Sequence, residues 1–176
     1  MLKKSRFIDI LAACVVFIGI SSADAAPCAI KAPPSICFSP KGGCEALVVK
    51  AIRSASHSIR VAAYSFTSRP IAQALMDAYD NGVDVQAVID AGQETAKSSQ
   101  APIVKKYGIP LRYDHVHAIM HDKYLVIDDE AVETGSFNFT NAAENNNAEN
   151  ARVDWCAPAL ARLYAKDWDK HWGHSK

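Results

Sequence analysis

The chain has 176 residues, 49% of them hydrophobic, which is enough for one domain with its own core. Its 19 basic residues are matched by 19 acidic residues, and this balance excludes a globally basic nucleic-acid-binding protein. Any attraction to a polyanion must therefore come from a local patch of charge.

The first 25 residues have the features of an export signal. Three basic residues precede an apolar run over 10–20, and Ala23-Asp24-Ala25 fits a small-residue cleavage site. The run is too short for a typical membrane span, so we expect a periplasmic or secreted protein without stable membrane insertion. Lipidation at Cys14 and an uncleaved anchor are less favoured alternatives. Without residues 1–25 the chain has 16 basic and 17 acidic residues.

Four cysteines remain after removal of the signal: Cys28, Cys37, Cys44 and Cys156. An even number in an exported protein suggests two disulfides, for which three pairings are possible. Cys37 and Cys44 flank a turn-forming segment rich in Pro and Gly, so a local bridge is favoured and leaves Cys28 for Cys156. A zinc site is disfavoured because no Cys-x2-Cys pair occurs.

The hydrophobic pattern predicts strands that alternate with helices. Residues 26–35 are expected to be a lead-in segment, followed by a single catalytic domain over 36–176. The predicted strands, in chain order before and after the central motif, are 36–38, 58–66, 83–90, 110–113 and 150–155. The predicted helices are 43–56, one capped by Ser68 and ending at Asn81-Gly82, 93–107 and 157–174. This alternation indicates an α/β fold, a mixed β-sheet flanked by helices.

The final predicted helix carries two stripes of side chains, each with a spacing of four residues. The apolar stripe consists of Leu160, Tyr164, Trp168 and Trp172, and the basic stripe consists of Arg162, Lys166, Lys170 and His174. The stripes lie on roughly opposite faces, so we expect the first to pack on the core. We interpret the second as a solvated face, with a contact to a phosphate backbone as the alternative.

The central motif begins with His121-Asp122-Lys123 and ends with Gly135-Ser136-Phe137-Asn138. It is predicted to form two strands joined by the acidic turn 128–130. Strand alternation places His121 with Lys123 on one face and Ser136 with Asn138 on one face. An imidazole, an ammonium, a hydroxyl and an amide would then converge, and this set suits a phosphodiester.

The pattern His-x-Lys-x4-Asp-x6-Gly-Ser-x-Asn resembles the signature of the phospholipase D superfamily. The segments 139–144 and 148–150 resemble its small bacterial endonuclease branch, and the likeness extends from about Cys37 to Trp172. The resemblance implies a phospholipase D/nuclease-like α/β sandwich. In that family two copies of the motif meet in one active site, so a chain with one copy is expected to form a homodimer with a shared site.

We expect His121 to be the nucleophile and to form a phosphohistidine, while Lys123, Ser136 and Asn138 bind the phosphate oxygens. Glu149 is expected to accept a hydrogen bond from the far ring nitrogen of His121. Two other positions are expected to be structural. Asp128 is turned away from the patch by strand parity, and Gly135 belongs to the motif.

A second pattern, His115, His117 and His121, has the spacing of possible zinc ligands on one side of a strand. Because the resemblance implies metal-independent hydrolysis, we expect no metal and no cofactor, and we expect His115 and His117 to be exposed or to contact substrate. The predicted function is a nonspecific endonuclease acting on DNA, with RNA left open as an additional substrate. The alternatives are a phospholipase D acting on phospholipid head groups and a catalytically silent nucleic-acid-binding dimer.

Overall fold

A computed structural model describes residues 33–176. The predicted signal peptide over 1–25, most of the lead-in and Cys28 lie outside the described residues. No helix within 33–176 is both long enough and apolar enough to cross a bilayer.

The described residues contain seven strands, which form one mixed sheet in the order β1-β7-β6-β5-β2-β3-β4. The strands are β1 (Ser35–Phe38), β2 (Ser58–Ala63), β3 (Asp84–Asp90), β4 (Leu111–Asp114), β5 (Lys123–Ile127), β6 (Ala131–Gly135) and β7 (Asn150–Asp154). β2, β3 and β4 are parallel, as helical crossovers require, and the remaining neighbours are antiparallel. The expected mixed sheet flanked by helices is confirmed.

In the described part of the chain, five α-helices accompany the sheet: α1 (Cys44–Arg53), α2 (Arg69–Asp80), α3 (Ala101–Tyr107), α4 (Asn141–Asn145) and α5 (Pro158–His174). The predicted cap of α2 is present, since the Ser68 hydroxyl accepts a hydrogen bond from Ile71 N at 3.2 Å. The predicted disulfide between Cys37 and Cys44 is also confirmed, with the Cα atoms 5.3 Å apart. Cys156 is disulfide-bonded as well.

The predicted helix over 93–107 is wrong in its first half. A 3-10 turn occupies Ala91–Gln93, and the helix begins only at Ala101. The intervening polar segment is held by other bonds: Gln100 N donates to Phe66 O, and the Ser99 hydroxyl accepts from Ala101 N. Small polar side chains that bond to nearby backbone compete with helix formation, and this explains the late start.

The sheet is buried on both faces. Alternate residues of the central strands, such as Val61 and Leu125, pack with α1, α2 and α3 in the larger core. Their neighbours, such as Ala62 and Val126, pack with α5 in a smaller core that also contains Trp168. Leu160, Tyr164 and Trp172 pack against this smaller core, so the expected apolar face of α5 is present.

Candidate active site

The predicted site residues meet at one end of the sheet, where four strands begin or end. β5 begins at Lys123 and pairs with β2 and β6, so that Lys123 lies opposite Ala63 and Tyr124 lies opposite Thr134. The segments that follow β2 and β6 therefore lie beside the segment that precedes β5. β7 begins next to the end of β6, with Ala151 opposite Gly135.

A cavity of about 420 Å³ opens at this end of the sheet. Its lining is mostly polar and includes the four residues predicted to touch a phosphate, which are His121, Lys123, Ser136 and Asn138. The remaining lining residues are Asp122, Tyr124, Thr134, Gly135, Glu149 and Tyr164. Three of the four predicted residues, His121, Ser136 and Asn138, lie outside the strands, contrary to the prediction. They lie on the segments just outside β5 and β6, where backbone freed from the sheet can turn toward the cavity.

His121 and Lys123 form the centre of the cavity. Nζ of Lys123 lies 2.9 Å from Nδ1 of His121 and donates to the backbone oxygen of the same residue at 2.6 Å. The ring of Tyr64 contacts both groups, with its centroid 4.5 Å from that of the imidazole and 5.2 Å from the ammonium. His121 is exposed to solvent, whereas Lys123 retains only 7% of its accessible surface.

The electrostatic environment of Lys123 is set by burial and by two carboxylates. Burial lowers the pKa of Lys123, while the negative charges of Glu149 and Asp122 act in the opposite direction. Within residues 33–176 the hydrogen bonds of the Lys123 ammonium are made to His121, so this desolvated ammonium is well suited to binding an anion that enters the cavity.

The segment after β6 supplies a hydroxyl and a carboxamide. Ser136 Oγ donates to Asn150 Oδ1 at 3.2 Å and accepts from Asn150 N at 3.1 Å. Oδ1 of Asn138 is buried and has no hydrogen-bond partner within residues 33–176. Gly135 allows close backbone approach, since a Cβ there would lie 2.1 Å from the backbone oxygen of Asn150.

Glu149 lines the cavity but does not make its predicted contact. Its Oε1 accepts a hydrogen bond from Asn147 Nδ2 at 3.1 Å, and the described residues show no Glu149–His121 hydrogen bond. The ring nitrogen Nδ1 of His121 is instead within hydrogen-bond distance of Nζ of Lys123, at 2.9 Å.

Asp128 lies at the opposite end of β5 from the cavity. Its carboxylate accepts hydrogen bonds from the backbone N–H groups of Ser56, His57 and Ser58 at 2.7–2.8 Å. These bonds hold the start of β2 against the β5–β6 turn.

The three histidines considered as zinc ligands do not converge. His115 Nε2 lies 3.6 Å from Glu94 and His117 Nδ1 lies 2.8 Å from Asp114, while His121 faces Lys123. Residues 115–119 form a loop rather than a strand, so strand parity does not apply to them. Neither His115 nor His117 lines the cavity.

Several residues of the site were not predicted. Tyr64 contacts both central groups, and Thr134 and Tyr164 line the cavity. Tyr64 follows β2 directly, so the pairing of β2 with β5 would have identified it. The basic stripe of α5 is exposed at Arg162, Lys166 and Lys170, but His174 is turned toward Asp114.

Comparisons with known proteins agree in sequence and in structure. Residues 48–172 match the family model described as cardiolipin synthase, PLD-like domain. The chain is 38% identical to phospholipase D of Rickettsia bellii over 134 aligned residues. The aligned region covers 76% of this chain and 66% of that protein. It therefore spans just under two thirds of the length of that relative.

Two solved structures have the same fold. Nuc from Salmonella typhimurium, a phospholipase D family member, is 44% identical with a TM-score of 0.78, covering 82% of this chain and 96% of that one. NucT from Helicobacter pylori has a TM-score of 0.74 at 24% identity, covering 81% of this chain and 97% of that one, and this likeness concerns the fold.

Proposed function

This chain belongs to the phospholipase D superfamily, and from that premise we propose that it is a metal-independent endonuclease that hydrolyses the phosphodiester bonds of DNA. The observation that carries the proposal is the convergence of His121, Lys123, Ser136 and Asn138 in one polar cavity. The nucleic-acid substrate is supported by the likeness to the small endonuclease branch and by the match to Nuc over 96% of its length.

Binding of a phosphate would rearrange the central pair. The Lys123 ammonium can only donate, so Nδ1 of His121 accepts from it and a neutral ring carries its proton on Nε2. A phosphate oxygen competes for the same ammonium. When Lys123 turns to the phosphate, Nδ1 can take the ring proton and Nε2 presents its lone pair to phosphorus. Glu149 is the proposed acceptor for Nδ1–H once it releases Asn147.

In the proposed reaction, Nε2 of His121 bonds to phosphorus while the bond from phosphorus to the leaving oxygen breaks. Lys123, Ser136 and Asn138 stabilise the charge on the non-bridging oxygens, and each such donor contributes about 2.7–4 kcal/mol to barrier lowering at comparable sites. A water molecule then attacks phosphorus and breaks the P–N bond, which restores the imidazole.

The leaving oxygen needs a proton, and the described residues that line the cavity include only one histidine. Tyr124 is a poor donor because burial and the charges of Asp167 and Asp122 raise its pKa. We therefore propose that two copies of the chain share one site across a two-fold axis. The partner's His121 would protonate the leaving oxygen and then accept a proton from the attacking water.

The decisive assay uses supercoiled plasmid DNA with excess EDTA. Wild-type protein is expected to nick and linearise the plasmid, and His121→Asn is expected to lose at least about 10³-fold of this activity. His115→Asn, at an exposed side chain outside the cavity, is the matched control and should retain full activity. Undiminished cleavage by His121→Asn would refute the mechanism, and binding without cleavage by the wild type would indicate a catalytically silent dimer.

Two further measurements test the intermediate and the shared site. Quenching in alkaline detergent, in which phosphohistidine survives, should trap a DNA fragment on the wild-type chain but not on His121→Asn. In sedimentation experiments the activity should follow a dimer. An active monomer would contradict the two-fold site.

A phospholipid head group is the second candidate substrate, favoured by one structural observation. Val116 and Ile119 are 63% and 53% exposed on the loop that leads to His121, where they could contact a lipid surface. Release of choline from phosphatidylcholine vesicles, compared with release of nucleotides from DNA at equal protein concentration, separates the two substrates.

We also propose that the protein is exported to the periplasm or the medium. The disulfide between Cys37 and Cys44 and the bonded state of Cys156 support an oxidising compartment. Detection of a processed chain that begins near residue 26 in the periplasmic fraction would test this proposal.

A further inference from the structure

A second polar cluster lies outside the cavity, where the last turn of α5 meets the end of β4. It consists of Asp114, His117, His171 and His174. Oδ2 of Asp114 lies 2.8 Å from Nδ1 of His117, 3.2 Å from Nδ1 of His171 and 3.1 Å from Nε2 of His174. All four donor atoms lie within 4.8 Å of one another.

We propose that these four side chains bind one zinc ion. Zinc takes imidazole nitrogen and carboxylate oxygen in tetrahedral sites at about 2.0–2.2 Å, which places neighbouring ligand atoms roughly 3.3 Å apart. The contacts of Asp114 with His171 and His174, at 3.2 and 3.1 Å, are already close to that separation. Shifts of the order of 1 Å would complete the tetrahedron.

The surroundings of His171 support a cation on its Nδ1 side. Its Nε2 lies 3.3 Å from Asp122 Oδ2 and 3.4 Å from Asp167 Oδ2, so the ring has carboxylates at both nitrogens. A neutral imidazole has one N–H and can satisfy only one of these sides. With zinc at Nδ1, the Nε2–H group donates to a carboxylate, which is the usual arrangement of a metal-bound histidine.

The cluster is preorganised and open to solvent on one side. The Asp114 side chain is fully buried, and its Oδ1 accepts from the backbone N–H of Val116 and of His117 at 2.8 and 3.2 Å. His171 is 12% exposed, His174 is 32% exposed and His117 is 46% exposed. Asp114, the most buried of the four ligands, is therefore held in place by the backbone of the following loop. An ion can reach the site past His117, the most exposed of the four.

The proposed ion would fasten the C-terminal end of α5 to β4. The same junction is held by paired backbone hydrogen bonds between Tyr113 and Lys176 and by the Arg112 guanidinium, which donates to Trp172 O at 2.6 Å. The role inferred for the ion is structural. Because none of its ligands lines the catalytic cavity, the proposal does not depend on the proposed function.

The test uses tag-free protein that has been treated with chelator, dialysed and then titrated with Zn²⁺ in a calorimeter, with metal content measured by mass spectrometry. We expect one equivalent of zinc per chain and a rise in Tm of roughly 5–10 °C at a hundredfold excess over Kd. His174→Ala and, independently, His117→Ala should weaken binding at least about 100-fold, and Asp167→Asn should weaken it about 10–100-fold. His115→Ala is the matched control and should bind like the wild type.

Substitution of Co²⁺ for zinc provides a signature that a purely structural effect of the mutations would not give. Visible absorption bands of four-coordinate cobalt should appear in the wild type and in His115→Ala but not in His174→Ala. No binding at micromolar Zn²⁺ would overturn the proposal. So would a bound equivalent that survives both cluster variants and is lost in His121→Ala, because the ion would then lie in the catalytic cavity.

Discussion

The sharpest prediction about stability concerns the buried side chain of Glu133. It lies on β6 between Leu125 of β5 and Val153 of β7, in the larger core of the protein. Its side chain is fully buried, and neither carboxyl oxygen has a hydrogen-bond partner within the described residues. Burial raises the pKa of Glu133 from 4.5 to about 8, so the folded protein holds this group protonated at neutral pH.

The sign of the pH effect follows from the difference between the two states. Below pH 4.5 the carboxyl is protonated in both the folded and the unfolded chain, and its ionisation does not affect stability. As pH rises toward 8, the unfolded chain loses this proton while the folded chain keeps it, so the free energy of unfolding falls. At about 1.4 kcal/mol per pKa unit, the loss between pH 5 and pH 8 is on the order of 3 kcal/mol.

Glu133→Gln keeps the shape of the side chain and removes its ionisation. We expect urea unfolding to show that the variant gains on the order of 3 kcal/mol relative to the wild type between pH 5 and pH 8. The pH-independent cost of burying a carboxamide cancels in this comparison. Glu94→Gln, at an exposed side chain, is the matched control for loss of a carboxylate. Parallel pH profiles for wild type and Glu133→Gln would refute the reasoning.

Three further substitutions test the cavity and its support. Asn138→Ala should lower kcat on plasmid DNA by about 10²–10³-fold with Tm unchanged, and a loss of Tm instead would mean that Asn138 is structural. Gly135→Ala should lower the free energy of unfolding by about 2 kcal/mol or more, because the new Cβ would lie 2.1 Å from the backbone oxygen of Asn150. A variant as stable as the wild type would contradict this close approach. Asp128→Ala should lose about 1–2 kcal/mol of stability in urea unfolding but keep the activity per folded molecule, and a specific loss of activity would place Asp128 in the chemistry.

The composition of the cavity could be predicted from the sequence because one short motif supplies most of it. Residues 121–123 and 134–138 flank a single β-hairpin, so their proximity follows from local pairing. The alternation of side chains along a strand predicted that the four phosphate-contacting residues share one site, and they do line one cavity. The reason was partly wrong, because His121, Ser136 and Asn138 lie just beyond the strands. The contact of Glu149 with His121 depended on side-chain rotamers, which a spacing pattern does not determine.

Long-range contacts could not be predicted in the same way. The cluster around Asp114 joins the end of β4 to residues 57 and 60 positions away, and this contact exists only because α5 returns across the sheet to β4. In the sequence, the spacing of three residues between His171 and His174 indicates no more than that both lie on one side of a helix. The basic stripe of α5 therefore contained a residue, His174, whose partner was not visible in the pattern.

The hairpin also explains why the aspartate of the motif matters although it lies five residues, or about 17 Å, from Lys123. A slip of one residue in β5 would move Lys123 to the opposite face of the sheet and take its ammonium out of the cavity. Two features oppose such a slip. Leu125 and Ile127 pack in the larger core while Val126 packs in the smaller one, and Asp128 fixes the turn to the start of β2. Because the hydrophobic alternation is sufficient to hold the register without the second feature, loss of the Asp128 carboxylate should weaken the fold without moving Lys123.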